Sequence, residues 1–196
     1  MYIITNMKNF QNTIFSLSLI FTIAAMLHKL NATDIEKIQS IKDDYYINEL
    51  KLQDFDGNQF YLKNKKAKFY IVNLWASWCA PCIKEMASLN SLKSKDPDIL
   101  VITISEDSDV NDAKQFFNSR KYDNLEKYYD YDKAFIDKIK IRGLPTTFIA
   151  DSKYKIFAKV EGAIEWDSKE FIDWLYKTRS SQNNWHILCY AFRNLQ

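Results

Sequence analysis

Hydrophobic and polar residues along this chain form short segments whose period switches between that of strands and that of helices. The apolar run from Phe69 to Trp75 predicts a central buried strand, and Ile99 to Ile104 predicts a second buried strand. Between them, apolar residues at three-residue spacing predict a helix that packs on the core: Ile83, Met86, Leu89 and Leu92.

Shorter segments predict the other elements. The alternation from Tyr46 to Gln53, the turn at Asp56-Gly57-Asn58 and the return over Gln59 to Leu62 predict a β-hairpin. Further predicted elements are helices over about 108–120, 131–140 and 167–178, a short strand over 125–131, and a strand pair over 146–150 and 155–160. Strands that alternate with helices predict one α/β domain, which we place at residues 45–178.

The first 32 residues are predicted to be a targeting segment. Lys8 precedes an uncharged stretch from Asn9 to Leu27, and its most apolar part, residues 14–27, has the length of a signal-peptide core. Ala32 is a small residue suited to cleavage, and the alternatives are an uncleaved membrane anchor and an ordinary buried helix. We therefore expect a signal peptide or membrane anchor over 1–32, a linker over 33–44 and a C-terminal tail over 179–196.

The charge distribution argues against nucleic-acid binding. The chain has 27 basic and 25 acidic residues, and two of the basic ones, Lys8 and Lys29, lie in the targeting segment. The remainder therefore carries no net charge, with both signs interspersed. Because nucleic-acid binding normally needs a basic face that meets the phosphates, we expect no nucleic-acid partner.

The cysteines carry the strongest chemical signal. Cys79 and Cys82 lie three positions apart, between a predicted strand and a predicted helix. This is the arrangement for reversible dithiol–disulfide chemistry, because the helix N-terminus favours a thiolate at the first cysteine. A zinc site would need two more ligands, and the other soft ligands, Cys189, His28 and His186, lie outside the predicted domain. A purely structural disulfide is a further alternative, although so short a loop restricts the unfolded chain little.

Two motifs together resemble the thioredoxin superfamily. They are Trp78-Cys79-Ala80-Pro81-Cys82 and Gly143-Leu144-Pro145-Thr146, and the segment from Val72 to Met86 is similar to the exported TlpA/ResA-like thiol–disulfide reductases. The resemblance implies a thioredoxin-like fold, in which a central mixed sheet is flanked by helices. It also implies an N-terminal β-hairpin and an inserted strand–helix unit before Pro145.

The resemblance implies a role for each residue of the site. Cys79 is expected to attack a substrate disulfide and Cys82 to release the product, so that Cys79–Cys82 is a redox-active disulfide. Pro145 is expected to be a cis-proline beside the active site, and the backbone of Leu144 to pair with a bound client. The remaining residues expected to contact the client are Trp78, Ala80 and Pro81.

The proton acceptor for the second cysteine is less clear from the motif. The buried acid of thioredoxin would fall at Asn73, which cannot titrate, and TlpA-like proteins share that asparagine. Glu85, three residues beyond Cys82 on the predicted helix, is the candidate. The alternative is a solvent-facing glutamate that the helix dipole favours.

The dipeptide between the cysteines predicts the direction of the chemistry. Ala80-Pro81 offers no histidine or other cation to stabilise reduced Cys79, and stabilising the reduced form is what makes a strong oxidant. We therefore expect a dithiol reductant, and the resemblance to the TlpA/ResA-like reductases implies clients of the cytochrome c or copper-oxidase maturation type. It would lie in the periplasm or on the outer face of the cytoplasmic membrane.

An exported cysteine pair would be oxidised at rest unless electrons are supplied. The expected partners are therefore a membrane-embedded electron donor and exported client proteins with cysteine pairs, with membrane contact only through the possible N-terminal anchor. No cofactor and no metal are expected. Two other functions stay open: a copper-binding chaperone, which would need a further ligand such as histidine, and a peroxiredoxin-like peroxidase, although Trp75 stands where its motif has Thr or Ser.

Overall fold

The computed structural model describes residues 34–48, 50–131, 133 and 141–180. Within these ranges, the strands are β1 (Ile38–Ser40), β2 (Lys51–Gln53), β3 (Gln59–Tyr61), β4 (Phe69–Trp75), β5 (Ile99–Ser105), β6 (Glu126–Tyr129), β7 (Thr146–Asp151) and β8 (Ile156–Glu161). They form a single mixed sheet with the spatial order β1-β8-β7-β4-β5-β6-β2-β3. The main helices are α1 (Ala80–Lys95), α2 (Val110–Asn118) and α3 over residues 169–180, with a 3₁₀ turn at Leu62–Asn64.

Strand β4 lies at the centre of the sheet and leads into the cysteine pair. It runs parallel to β5 and antiparallel to β7, so that Asn73 lies between Thr103 and Thr147. Every residue of β4 is buried, as its apolar sequence predicts for a strand covered on both faces. The predicted thioredoxin-like fold, a central mixed sheet flanked by helices, is confirmed.

Local sequence explains where α1 begins and ends. Cys79 is the N-cap, and Pro81 lies in the first turn, where a missing N–H removes no helical hydrogen bond. At the other end, the N–H of Asp96 donates to the carbonyl of Leu92, and Pro97 follows. The helix therefore starts directly at the cysteine pair, at the edge of the sheet where the parallel strands β4 and β5 end.

The segment before the hairpin differs from the sequence prediction. Residues 38–40, within the expected linker over 33–44, form strand β1, which pairs antiparallel with β8. The N–H of Ile41 continues this edge with a bond to the carbonyl of Phe157. Charged residues surround this strand, and it carries no apolar pattern that would reveal it in the sequence. Its place in the sheet depends instead on backbone hydrogen bonds to the edge of β8.

The predicted strand over Tyr46 to Gln53 is broken in the structure. Tyr46 forms an isolated bridge with Lys155, and only Lys51–Gln53 joins the sheet as β2. Between them, the N–H of Leu50 donates to the carbonyl of Ile47, which turns the chain. The segment therefore pairs in two places: Tyr46 pairs with the connection between β7 and β8, and β2 pairs with β3 and β6.

Several predictions fall on residues that the structure does not describe. The targeting segment over 1–32 and the tail beyond residue 180 lie outside the described residues, as does the predicted helix over 131–140 apart from Tyr131 and Lys133. Of the helices in the described ranges, none has the length and apolar character needed to span a membrane.

Candidate functional site

The two cysteines form a disulfide at the start of α1. The Cys79–Cys82 bond has an S–S distance of 2.00 Å and a Cα–Cα distance of 5.2 Å. The side chain of Cys79 is 5% exposed, whereas Cys82 is fully buried. The N–H of Cys82 lies 3.3 Å from the sulfur of Cys79 and donates to it. When the pair is reduced, that N–H and the helix N-terminus favour a thiolate on Cys79, the sulfur that a second molecule can reach.

An exposed surface surrounds the disulfide. Trp78 is 70% exposed, the largest exposure among the large hydrophobic residues that the structure describes. Ala80 and Pro81, between the cysteines, are exposed as well. Trp78, Ala80 and Pro81 thus form an exposed apolar surface directly beside the Cys79 sulfur.

The second motif lies at the same edge of the sheet. The Leu144–Pro145 peptide bond is cis, and Pro145 is buried while Leu144 is partly exposed. Because β7 pairs with β4 with Thr146 opposite Leu74, the cis bond lies beside the end of β4 that leads into the cysteines. Pro145 also accepts a hydrogen bond of 2.9 Å from the N–H of Gly162, which fixes the loop to the end of β8.

Glu85 is buried, not solvent-facing. Its side chain is 2% exposed, one helical turn beyond Cys82 on α1. The Oε2 atom accepts from the indole N–H of Trp166 at 2.7 Å, and the Oε1 atom accepts from the amide of Asn73 at 2.8 Å. Burial raises the pKa of Glu85 from 4.5 to about 7, although both hydrogen bonds act in the opposite direction.

Asn73 connects Glu85 to the strand that follows the cis bond. Its amide nitrogen donates to Glu85 and also to the hydroxyl of Thr147, both at 2.8 Å. Thr147 is fully buried two residues after Pro145. The sequence singled out Asn73 and Glu85 separately, but their contact and the role of Trp166 have no local signal, because 81 positions separate Trp166 from Glu85.

A second buried acid lies at the end of β5. Glu106 is mostly buried, and its N–H donates to the carbonyl of Trp75 at 2.8 Å. Burial and the nearby charge of Asp130 raise the pKa of Glu106 from 4.5 to about 7, against an ion pair with Lys133 at 3.2 Å. Sequence reasoning missed this acid, because nothing in the surrounding pattern shows that it is buried.

Metal-binding side chains do not cluster in the part of the chain that the structure describes. No group of three or more His, Cys, Asp or Glu residues there is placed to hold an ion. Cys189, His28 and His186, considered above as possible ligands, lie outside the described residues.

Sequence comparisons relate the chain to known redox proteins. The Redoxin family matches residues 35–171. A thiol–disulfide oxidoreductase ResA from Bacillus cereus is 31% identical over 112 residues, which cover 56% of this chain and 64% of the relative. ResA from Bacillus thuringiensis subsp. konkukian is 34% identical over 117 residues, with the same coverages. The matched region thus spans slightly less than two thirds of these ResA proteins.

Solved structures show the same fold. A protein from Chlorobium tepidum described as a thiol:disulfide interchange protein DsbE has a TM-score of 0.61 at 20% identity, covering 70% of this chain and 98% of that one. A DsbF homologue from Corynebacterium diphtheriae has a TM-score of 0.58 at 19% identity, covering 70% and 92%. The chain therefore belongs to the Redoxin family, and it resembles the ResA thiol–disulfide oxidoreductases and shares the thioredoxin-like fold that the sequence motifs predict.

Proposed function

We propose that this chain is an exported thiol–disulfide oxidoreductase that reduces cysteine pairs in specific client proteins. The observation that carries the proposal is the pairing of a reachable sulfur with a buried acid on one helix. Cys79, at the start of α1, keeps 5% of its side chain exposed whereas Cys82 is fully buried, and Glu85, with a pKa of about 7, lies one helical turn beyond Cys82. The resemblance of the chain to ResA proteins supports the same activity.

The reaction begins with Cys79 as its nucleophile. The Cys79 thiolate attacks one sulfur of the client disulfide, and the other client sulfur leaves as a thiolate that takes up a proton. Cys82 then loses its proton, and its thiolate attacks the Cys79 sulfur, which releases the second client sulfur. Two electrons pass to the client, and the chain is left with the Cys79–Cys82 disulfide that the structure contains.

Glu85 is our proposed acceptor for the Cys82 proton. Residues three apart on a helix share a face, and both side chains are buried, so the acid lies on the same side of α1 as the resolving thiol. A general base works best when its pKa is near the working pH, which a value of about 7 satisfies. An ordinary carboxylate, with a pKa near 4.3, would accept the proton of a thiol far less readily.

The client would lie across the exposed surface beside the disulfide. We propose that it contacts Trp78, Ala80 and Pro81 on one side. On the other side, the backbone of Leu144 before the cis Pro145 would pair with the extended client segment. Because such backbone pairing does not depend on the client sequence, client choice is left to the side chains around it.

The reductant direction is tested by the reduction potential of the full chain. The Cys79 sulfur accepts a hydrogen bond from the backbone N–H of Cys82, and the dipeptide between the cysteines carries no charge. Equilibration in graded thiol–disulfide buffers should therefore give a potential below about −220 mV, on the thioredoxin side of the scale. A potential near −120 mV would refute a reductant and indicate an oxidase.

Clients and location are tested in cells. We propose clients of the cytochrome c or copper-oxidase maturation type, a membrane-embedded electron donor, and a site in the periplasm or on the outer face of the cytoplasmic membrane. A Cys82→Ser variant should accumulate mixed disulfides with clients at Cys79, and a Cys79→Ser variant is the control that should trap far fewer. N-terminal sequencing of the exported chain distinguishes cleavage after residue 32 from a retained anchor.

A further inference from the structure

We infer that Asp107 is a positioning residue that holds the turn before Cys79 in the geometry for attack on a protein disulfide. The inference rests on the proposed exchange at Cys79. Asp107 follows β5, is fully buried, and takes no part in the proton transfer proposed above.

Both donors of Ser77 are directed at the carboxyl group of Asp107. The Oδ1 atom accepts from the Ser77 N–H at 3.0 Å and from the Ser77 hydroxyl at 2.8 Å. The Oδ2 atom lies 3.1 Å from the same N–H. One side chain thus satisfies the backbone and the side chain of Ser77 together, and a Ser77 N–H without it would lose its partner.

Asp107 is itself held firmly to the sheet. Its Oδ2 accepts from the hydroxyl of Ser105 at 2.8 Å, and its own N–H donates to that hydroxyl oxygen at 3.1 Å. Its carbonyl oxygen accepts from the hydroxyl of Tyr129 at 2.7 Å and from the ammonium group of Lys133 at 3.2 Å. The residue therefore connects the turn to β5 and β6, two strands of the rigid core.

Fixing Ser77 fixes the approach to Cys79. The N–H of Cys79 donates to the carbonyl of Ala76 at 3.1 Å, so these four residues form a turn with Ser77 at its second position. Trp78, the exposed residue of the proposed client surface, is the third position of that turn. Asp107 thus fixes the backbone turn that carries Trp78 and the path by which the chain enters α1.

The test compares two substrates of different size. The reduced protein is mixed with insulin, a protein disulfide, and with dithiobis(nitrobenzoate), a small disulfide, and both second-order rate constants are measured. A small disulfide needs only an accessible thiolate, whereas a protein disulfide must also fit the client surface. Loss of folded protein lowers both rate constants by the same factor, so their ratio reports positioning alone.

Asp107→Ala should lower the insulin to small-disulfide ratio by about tenfold, since misplacement by ~1 Å can cost up to about a hundredfold. Asp107→Asn keeps an acceptor oxygen for Ser77 and should restore the ratio to within about twofold of the wild type. Ser77→Ala, which keeps the N–H bond, should lower it by about threefold, the effect of one lost hydrogen bond. The matched control is Asp98→Ala. Asp98 is an exposed acid that directly precedes the first residue of β5, whereas Asp107 lies beyond its last residue.

An unchanged ratio in Asp107→Ala, or an Asp107→Asn variant as impaired as Asp107→Ala, would overturn the inference. If Asp107→Ala does not fold, an unchanged ratio in Ser77→Ala overturns it instead. Hydrogen exchange at the Ser77 amide gives a readout that needs no catalysis: Ser77 should lose protection in Asp107→Ala and keep it in Asp107→Asn. A wild-type protein that reduces neither disulfide would refute the proposed function, while the exchange measurement still decides the role of Asp107.

Discussion

Glu85→Gln should make the protein more stable above neutral pH and a slower reductant at the same time. The pKa of Glu85 is raised from 4.5 to about 7 by burial, so the folded protein holds this proton more tightly than the unfolded chain does. Below about pH 4.5 the acid is protonated in both states, and the folded protein gains the full benefit of the neutral group. As the pH rises through 7, the folded protein must accept a buried charge, and that benefit is lost.

The size of the effect follows from the two pKa values. The difference between 4.5 and about 7 corresponds to a loss of about 3 kcal/mol of unfolding free energy, at about 1.4 kcal/mol for each tenfold change in proton affinity. The loss occurs between about pH 4.5 and pH 7, and the contribution of this group is flat above that window. A glutamine carries no charge, so the variant should lack this part of the pH dependence.

The local hydrogen bonds can accommodate the amide. The glutamine oxygen takes the place of Oε2 and accepts from the indole N–H of Trp166. Its NH₂ group would then face the NH₂ group of Asn73, but the Oδ1 atom of Asn73 is buried without a partner among the described residues. Rotation of the Asn73 amide by half a turn presents that oxygen to the new donor and to the Thr147 hydroxyl, which can donate instead of accept. The cost is that the Asn73 NH₂ group takes the buried place where the oxygen had no partner. We therefore expect the net gain at pH 8 to be about 2 kcal/mol, after about 1 kcal/mol for this unpaired group.

Urea unfolding of the oxidised protein from pH 4 to pH 8 measures the stability. The same variant, reduced and mixed with a client disulfide, should resolve its mixed disulfide about a hundredfold more slowly, the lower range for a lost general base. Glu170→Gln on α3 is the matched control, and it should track the wild type in both measurements. Parallel stability curves for Glu85→Gln and wild type, or an unchanged resolution rate, would refute the assignment of Glu85 as the buried proton acceptor.

Three further substitutions test the site and the core. Trp166→Phe removes a hydrogen-bond donor that favours ionised Glu85, so the pKa of Glu85 should rise. The pH midpoint of mixed-disulfide resolution, measured by rapid-quench kinetics, should therefore increase by about one pH unit. Pro81→His places a cation beside Cys79 and should make the reduction potential less negative, with Pro81→Ala as its control. Met86→Ala, at a fully buried position of α1, should lower the unfolding free energy by about 2–5 kcal/mol in urea titrations, and an exposed-site change such as Lys84→Ala should not.

The central strands and the cysteine helix were predictable because their signals are local. The run of β4 is apolar on both faces, and Cys79 with Pro81 marks the start of α1 within a few residues. The spacing from Cys82 also singled out Glu85 as the candidate acid, and its role as proton acceptor stays a prediction. Such features depend on periodicity and capping, which each segment carries within itself.

The environment of that acid was not predictable, because it is assembled from distant parts of the chain. The donors to Glu85 come from β4, 12 positions away, and from the segment after β8, 79 and 81 positions away. The same reason explains β1, whose place in the sheet depends on β8. Ser77 and Asp107, 30 positions apart, likewise give no signal in either local sequence.

The choice of Asn73 and the choice of Glu85 depend on each other. The amide nitrogen of Asn73 and the Oε1 atom of Glu85 lie 2.8 Å apart, and both side chains are buried. An acid at both positions would place two carboxyl groups in direct contact and force one of them to stay protonated. An amide at position 73 avoids that conflict, because it donates to the ionised acid and to Thr147 beyond the cis bond. The single titrating group then lies on α1, the helix that carries Cys82, so its position relative to the resolving thiol depends on one rigid element. If Glu85 accepts the Cys82 proton as we propose, this arrangement gives a chain without an acid in β4 a proton acceptor on the same helix as its cysteines.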